Sequence, residues 1–301
     1  MSRLPAVALA AVPGRRRAVL ELARELEAKG FAGAYCASFG DALGLCEALA
    51  LTTERIPFGT AIANLYTRHV SDYAQTAALI HELSGGRFHF GVGVSHVPVN
   101  DRLGVRSGKP LADMRAFVQA YQKHDRVGAL PPVVVAALRK RMVALAGEIA
   151  NGVVFANAAR SHMRESLSAL PAAKRSDPAF FVGDMIPTCI SGDRAAAMER
   201  NRKTLVMYVS LPNYRNYWIE AGYAEEMAAI AKAISRGERE RVTSLMSDRW
   251  LADVSLFGTA AEVREGVEAW FDAGVRTPIV VPSSASGNQI KAFEELFAAF
   301  D

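Results

Sequence analysis

Three consecutive cations, Arg139, Lys140 and Arg141, follow an apolar run in the stretch VVVAALRKRM. The next apolar residues recur at the spacing of one helix face: Met142, Leu145, Ala146 and Ile149. The cations therefore fall in the first turn of a helix, which Gly152 is predicted to close. A helix N-terminus disfavours cations by a few tenths of a kcal/mol or more unless an anion lies among them. The turn is a candidate anion site; the alternative is three solvated cations.

Polar side chains also stand where other apolar runs end. They are Ser38, next to Phe39, after the second run, Asn64 after the third, Ser95 and His96 after the fourth, and Asn157 after the sixth. Imidazole titrates near neutral pH, so His96 is a candidate proton donor or acceptor, with a purely structural histidine as the alternative. Metal-ligand spacing is not found, and no carboxylate completes a triad with a serine and His96. We therefore expect neither a metal site nor hydrolase chemistry.

The elements that must position these residues are apolar runs separated by helical patterns. Continuous rather than alternating apolar runs are typical of parallel strands buried on both faces, and eight of them favour a (β/α)8 barrel as one domain over residues 1–301. A doubly wound sheet is the competing fold, but the Gly-rich phosphate fingerprint is missing after the first run. The runs are AVALAAV, GAYCA, PFGTAIAN, RFHFGVGVS, PPVVVAAL, GVVFANA, FFVGDMIPTCIS and TPIVVPSS.

The stretch from 200 to 257, between the seventh and eighth runs, is longer than one helix requires. It concentrates aromatic residues: Tyr208, Tyr214, Tyr217, Trp218 and Tyr223. Extra helices that bury these rings against the barrel are one interpretation, and a wall or lid of a substrate pocket is the other. The following helix is predicted to begin with a capping box, Thr259 to Glu262, and to end at Gly274.

Composition limits the function classes. With 301 residues, 50% of them hydrophobic, the chain can bury a large core, and its net charge of +4 does not indicate a nucleic-acid partner. A second basic run, Arg15 to Arg17, is interpreted as a solvated helix face. The three cysteines lack metal-ligand or paired spacing, so we expect free thiols and a cytoplasmic location. The first apolar run is interpreted as a strand rather than a signal peptide, and a membrane span is not expected.

Three stretches, RIPFGTAIANLYTRHV, ELSGGRFHFGVGVSH and PPVVVAALRKRMVALAGEIANGVV, resemble the luciferase-like flavin monooxygenase superfamily. Two further stretches, YVSLPNYRNYWIEAGY and GTAAEVREGVEAWFDAGV, are similar to its coenzyme F420-dependent branch. The resemblance implies a (β/α)8 barrel, commonly dimeric, that binds F420 or FMN across its C-terminal mouth. It also implies a non-prolyl cis peptide after the third strand, which maps onto Ala61 and Ile62 and presses on the central cofactor ring.

The same resemblance assigns roles to strand-end residues. Asn64 would face the cofactor, Val94 and Ser95 would line it, and His96 falls where related enzymes place an acid. A phosphate-binding turn maps onto Ala137, Leu138, Arg139, Lys140, Arg141 and Met142. Relatives often have an acid after the second strand where this chain has Ser38 and Phe39, so the catalytic candidates are His96, Asn64 and Ser38.

These features predict an oxidoreductase that uses F420 for hydride transfer to or from a small organic substrate. An FMN-dependent monooxygenase is the first alternative. A barrel that binds a flavin-like ligand without turnover is the second, and the missing acid after the second strand favours it.

Overall fold

A computed structural model describes residues 3–38 and 40–301. Strands and helices alternate along the chain as in a (β/α)8 barrel, so the predicted fold class is confirmed. The strands are β1 Ala6–Leu9, β2 Ala34–Ala37, β3 Phe58–Ala61, β4 Ala63–Asn64, β5 Phe88–Gly93, β6 Val133–Ala136, β7 Gly152–Ala156, β8 Phe181–Ile190, β9 Leu256–Gly258 and β10 Thr277–Ser283.

The helices follow the strands in turn. They are α1 Arg16–Ala28, α2 Ala42–Thr52, α3 Val70–Leu83, α4 Val97–Arg102, α5 Pro110–Tyr121, α6 Lys140–Ile149, α7 Met163–Leu167, α8 Ala172–Ser176, α9 Arg194–Val209, α10 Pro212–Glu220, α11 Ala224–Ser235, α12 Asp248–Val254, α13 Ala260–Asp272 and α14 Gln289–Phe300. Short 3₁₀ turns lie at Arg160–His162, Arg239–Arg241 and Thr243–Leu245. Over the described residues, none of these helices has the length and apolar character needed to cross a membrane.

Two compact units make up the described chain. The first, here called the N-terminal unit, comprises Arg3–Phe155 and Leu167–Gly183. Its strands pair in parallel in the order β1, β2, β3, β5, β6, β7, and β4 continues from β3 to pair with β5. The second, the C-terminal unit, comprises Ala156–Ser166 and Asp184–Asp301, and in it β8 pairs with β9 and with β10. One domain over residues 1–301 stays a prediction.

The apolar runs become strands because most of their side chains are buried. All four residues of β1, β2 and β3 are buried, as expected for strands covered on both faces. The short strand β9 was not predicted, because three residues are too few to give a periodic signal. It lies at the end of the 200–257 stretch, where the predicted extra helices are α9 to α12.

Local predictions about helices were mostly right. Thr259 and Glu262 form the predicted capping box of α13, and Gly274 follows that helix with a φ of +106°. The predicted end of α6 was wrong: the helix ends at Ile149, and Gly152 begins β7 because the backbone turns extended at Ala150. Met142 was predicted to face inward but is only half-buried, and Val143 takes the buried position.

One arginine joins the C-terminal ends of α2 and α3. The Arg87 guanidinium donates hydrogen bonds to the carbonyl oxygens of Ser84, Thr53, Ile56 and Ala50 at 2.8, 2.8, 3.0 and 3.3 Å, and to the Thr53 hydroxyl at 2.9 Å. Helix C-termini carry partial negative charge and unpaired carbonyls, so a cation is well placed here. We refer to this group as the Arg87 clamp.

Candidate active site

The strand-three bulge of the N-terminal unit has the geometry that the resemblance implies. The peptide bond between Ala61 and Ile62 is cis, as predicted. After this bond the chain resumes parallel pairing with β5 at β4, where Ala63 pairs with Val92 and Asn64 with Gly93. A Cβ atom on Gly93 would lie 2.9 Å from the Ile62 Cδ1 atom and 3.0 Å from the Ala136 Cβ atom. Glycine is therefore required there for the Ile62 side chain to lie where it does.

Hydrogen bonds to both its side chain and its backbone carbonyl fix the position of Asn64. Its Oδ1 atom accepts from the Tyr66 amide at 3.2 Å, and its Nδ2 atom donates to the Asn100 Oδ1 atom at 2.7 Å. Its carbonyl accepts from the Tyr73 hydroxyl at 2.5 Å and from the Thr67 hydroxyl at 2.9 Å. These contacts indicate a structural role for Asn64, because they use its side-chain oxygen and one of the two N–H groups of its side-chain amide. Its catalytic assignment stays a prediction.

Ser95 and His96 lie between β5 and α4, beyond the strand end at Gly93. Ser95 adopts a left-handed conformation with a φ of +57°, which is uncommon outside glycine and concentrates at functional sites. His96 is the residue that precedes α4, and it is half-buried. Burial lowers the pKa of His96 below its ordinary value, so its imidazole is neutral at pH 7. A neutral imidazole can accept a proton.

The cation turn, Arg139 to Arg141, lies at the start of α6 as predicted. Arg139 is the N-cap residue, with φ and ψ of −103° and 153°, and its side chain accepts no capping hydrogen bond. All three cations are exposed, and the first turn contains no acidic residue. The Ala137 amide already donates to the Val154 carbonyl at 3.0 Å. Any anion would therefore be bound by the amides and side chains that follow Ala137.

The remaining predicted site residues lie at or near the strand ends or at the start of α6. Ser38 follows β2 and is exposed. Phe39 lies outside the described residues. Leu138 and Val94 are half-buried near the ends of β6 and β5, whereas Met142 lies in the first turn of α6.

Sequence reasoning missed Asn100, a residue of α4 with no exposed surface. Its Nδ2 atom donates to the Val94 carbonyl at 3.1 Å and to the Ser107 hydroxyl at 2.8 Å. Its partners lie 6, 7 and 36 residues away along the chain, so no local spacing marks it. Tyr66 was also missed; its hydroxyl donates to the Asp113 Oδ2 atom at 2.7 Å, and burial together with this bond raises the pKa of Tyr66 to about 12.

The C-terminal unit has its own polar cluster, at the loop that follows β7. The amides of Ala158, Ala159 and Ser161 donate to Asp184 Oδ1, the Tyr217 hydroxyl and Asp253 Oδ1 at 3.4, 3.2 and 2.9 Å. Asp184 is fully buried, and within the described chain its Oδ2 atom has no hydrogen-bond partner. Burial raises the pKa of Asp184 well above its ordinary range.

The aromatic residues of 200–257 pack inside this unit. Tyr214, Tyr217, Trp218 and Tyr223 are buried, and the Trp218 indole donates to the Asn157 carbonyl at 3.2 Å. Asn157 itself is left-handed, with a φ of +55°. Extra helices that bury aromatic rings are therefore the better of the two interpretations. Across residues 3–38 and 40–301, the side chains that bind metals do not gather in groups of three or more.

The chain belongs to the luciferase-like monooxygenase family, whose sequence model matches residues 4–124 and 121–277. The predicted family is thereby confirmed, and so is the prediction that the chain is an enzyme of this family.

Individual proteins from both cofactor classes are similar to it. The 5,10-methylenetetrahydromethanopterin reductase of Archaeoglobus fulgidus is 26% identical over 278 residues, covering 82% of each chain. The structure of the coenzyme F420-dependent tetrahydromethanopterin reductase of Methanopyrus kandleri superposes with a TM-score of 0.77 at 20% identity, covering 100% of both chains. The structure of the oxygenating constituent of 3,6-diketocamphane monooxygenase from Pseudomonas putida, solved with FMN, superposes with a TM-score of 0.60 at 15% identity. The match covers 100% of this chain and 95% of that chain. At these identities the two solved structures establish the fold alone.

Proposed function

We propose that the chain is a coenzyme F420-dependent oxidoreductase that transfers hydride to or from a small organic substrate. The observation that carries the proposal is the cation turn: three exposed cations at a helix start, with the arginine Arg139 at the N-cap position. Helix N-termini bind phosphate through free amides and the dipole, and arginine adds charge-assisted bonds. F420 carries a phosphodiester and a tail of several carboxylates, which suits three cations better than the single phosphate of FMN.

The donor set of the N-terminal unit fits such a cofactor. Arg139, Lys140 and Arg141 would hold its anionic part, with Ala137, Leu138 and Met142 shaping the turn. Ala61, Ile62, Asn64, Val94 and Ser95 would support its ring. The bound deazaflavin would supply the redox chemistry, while the protein orients it and excludes water. His96, neutral because burial lowers its pKa, would accept the substrate proton in the direction of substrate oxidation.

The relatives named as F420-dependent reductases support this choice of cofactor. The solved FMN monooxygenase supports the first alternative, an enzyme in which reduced FMN reacts with oxygen. Ser38, exposed where relatives often have an acid, supports the second alternative, a barrel that binds without turnover.

Titration of the purified protein with F420 and with FMN, followed by absorbance and fluorescence, separates the three possibilities. We expect saturable binding of F420 at lower concentration than FMN, and reduction of bound F420 by an oxidisable substrate without oxygen uptake. Tighter binding of FMN with oxygen uptake upon reduction supports the monooxygenase. Binding of either cofactor with no turnover across a panel of alcohols, aldehydes and imines supports the non-catalytic barrel.

We also propose that the chain is a single cytoplasmic domain that forms a homodimer. Its three cysteines are buried free thiols, as expected in a reducing compartment. Leu51 near the end of α2, and Leu79 and Leu83 near the end of the neighbouring α3, are exposed at 71%, 50% and 46%. Large apolar side chains exposed on two neighbouring helices support an interface at this face. Light scattering should give twice the chain mass, and Leu79→Lys should give a monomer; a monomeric wild type would contradict the proposal.

A further inference from the structure

Asn100 is a fully buried residue whose side chain connects three segments of the N-terminal unit. Its amide oxygen accepts from Asn64, and its amide nitrogen donates to the Val94 carbonyl and the Ser107 hydroxyl. The three distances, 2.7, 3.1 and 2.8 Å, are those of normal hydrogen bonds. A single planar amide makes all three bonds: its oxygen accepts one, and its two N–H groups donate the other two.

Two of the three segments that Asn100 connects, those of Asn64 and Val94, are proposed to support the cofactor ring. Asn64 ends the strand-three bulge, Val94 follows β5, and Ser107 lies in the loop after α4. The backbone already joins two of them, because the Leu65 amide donates to the Gly93 carbonyl at 3.0 Å. That bond fixes the height of the bulge along β5. The Asn100 amide adds a second connection, to Asn64, the residue before Leu65, and to Val94, the residue after Gly93. This connection fixes the orientation of the Asn64 and Val94 peptides.

We propose that Asn100 is a positioning residue of the active site: it holds Asn64 and Val94 in the orientation that the cofactor ring requires, without touching the cofactor itself. This proposal rests on the proposed function. It concerns ring binding and not the anionic tail, which the cation turn on α6 would hold. Loss of Asn100 should therefore weaken binding without altering its salt dependence, since the charges of the cation turn are unchanged.

Two variants separate the hydrogen bonds from the volume of the side chain. Asn100→Leu removes all three bonds at similar size. Asn100→Asp keeps an acceptor for Asn64, but its ionised form cannot donate to Val94 or Ser107. Protonation of the buried carboxyl restores one donor, so the affinity of Asn100→Asp relative to wild type should recover as the pH falls from about 8 to about 6. The leucine variant should show no such recovery.

Asn201 provides a matched control in the C-terminal unit. It too is an asparagine with no exposed surface, and its Nδ2 atom donates to two backbone carbonyls, Leu256 at 2.9 Å and Pro187 at 3.5 Å. The same substitutions, Asn201→Asp and Asn201→Leu, therefore measure what loss of a buried amide does to the fold alone.

The experiment combines cofactor titration with amide hydrogen exchange of the cofactor-free protein. We expect Asn100→Leu to raise the cofactor dissociation constant about tenfold or more, as for one lost hydrogen bond or more, and to speed exchange in residues 61–66 and 92–96. The Asn201 variants should change neither the cofactor dissociation constant nor exchange in these residues, even where they lose as much thermal stability as the Asn100 variants. Ser107→Ala, which removes one bond at a half-buried position, should give a smaller change of the same kind and decides the question should the Asn100 variants not fold.

Equal effects of the Asn100 and Asn201 substitutions on affinity and exchange would overturn the positioning role. So would unchanged exchange at residues 61–66 in Ser107→Ala when the Asn100 variants do not fold. Failure of the wild type to bind F420 or FMN would instead refute the proposed function, and the exchange comparison of the cofactor-free proteins would still show whether Asn100 holds the bulge.

Discussion

The Arg87 clamp and the cation turn place the same charge at opposite ends of helices. Arg87 lies where α2 and α3 end, and its guanidinium donates to four backbone carbonyls and one hydroxyl. The cation turn lies where α6 begins, on the exposed surface, with no acidic residue in its first turn. The helix dipole stabilises the first arrangement and destabilises the second. The difference indicates that Arg87 serves the fold, and it supports the proposal that the cation turn binds an anion.

The largest effect on stability is expected from Arg87→Leu. The substitution removes five donated hydrogen bonds and leaves carbonyl groups of Ala50, Thr53, Ile56 and Ser84 without this partner. We expect a loss of about 3 kcal/mol of unfolding free energy in urea, with cofactor affinity unchanged. Arg55→Leu, at a side chain 73% exposed beside Glu54, is the control and should change little. Equal losses in both variants would show that the clamp contributes nothing particular.

His96 tests the functional side of the comparison. Because burial lowers its pKa, turnover in the oxidation direction should fall as the pH falls through a value below about 6.5. His96→Gln should reduce kcat on the order of 100-fold and remove this acid limb from the pH profile. An unchanged profile in the variant would make His96 a structural residue.

Asp184 is a buried carboxyl group with too few hydrogen-bond partners, so its ionisation lowers the free energy of unfolding. Its folded-state pKa is raised by burial, so its stabilising contribution is present below the unfolded pKa of about 4 and is lost as the pH rises through the folded pKa. Asp184→Asn stays neutral and keeps an acceptor for the Ala158 amide. We expect the variant to be more stable by on the order of 2 kcal/mol at pH 7, with a gain that shrinks towards pH 4. A gain that does not depend on pH would contradict this explanation.

Sequence reasoning reached the parts of the molecule that local patterns encode. The apolar runs gave the strands, Thr259 and Glu262 gave a cap, and the run of cations gave the start of α6. It did not reach Asn100, Arg87 or Asp184, because their partners lie far away in the chain or on neighbouring strands. Burial and pairing of single polar residues depend on tertiary contacts, which periodicity does not record.

We propose that the cation turn is retained to bind an anion at the expense of helix stability, and Arg139→Asp tests this proposal most directly. Aspartate is a preferred N-cap residue, so the variant should gain about 1 kcal/mol of unfolding free energy. Loss of the guanidinium should at the same time weaken cofactor binding by about 1.5 to 3 kcal/mol and reduce its salt dependence.

Arg15→Asp is the matched control for this measurement, because Arg15 is the N-cap residue of α1 and its side chain likewise accepts no capping hydrogen bond. It makes the same charge change at another helix start. We expect Arg139→Asp to raise the unfolding free energy and to weaken cofactor binding, and Arg15→Asp to leave cofactor affinity unchanged. Cofactor affinities and salt dependences that are the same in the two variants would contradict the proposal.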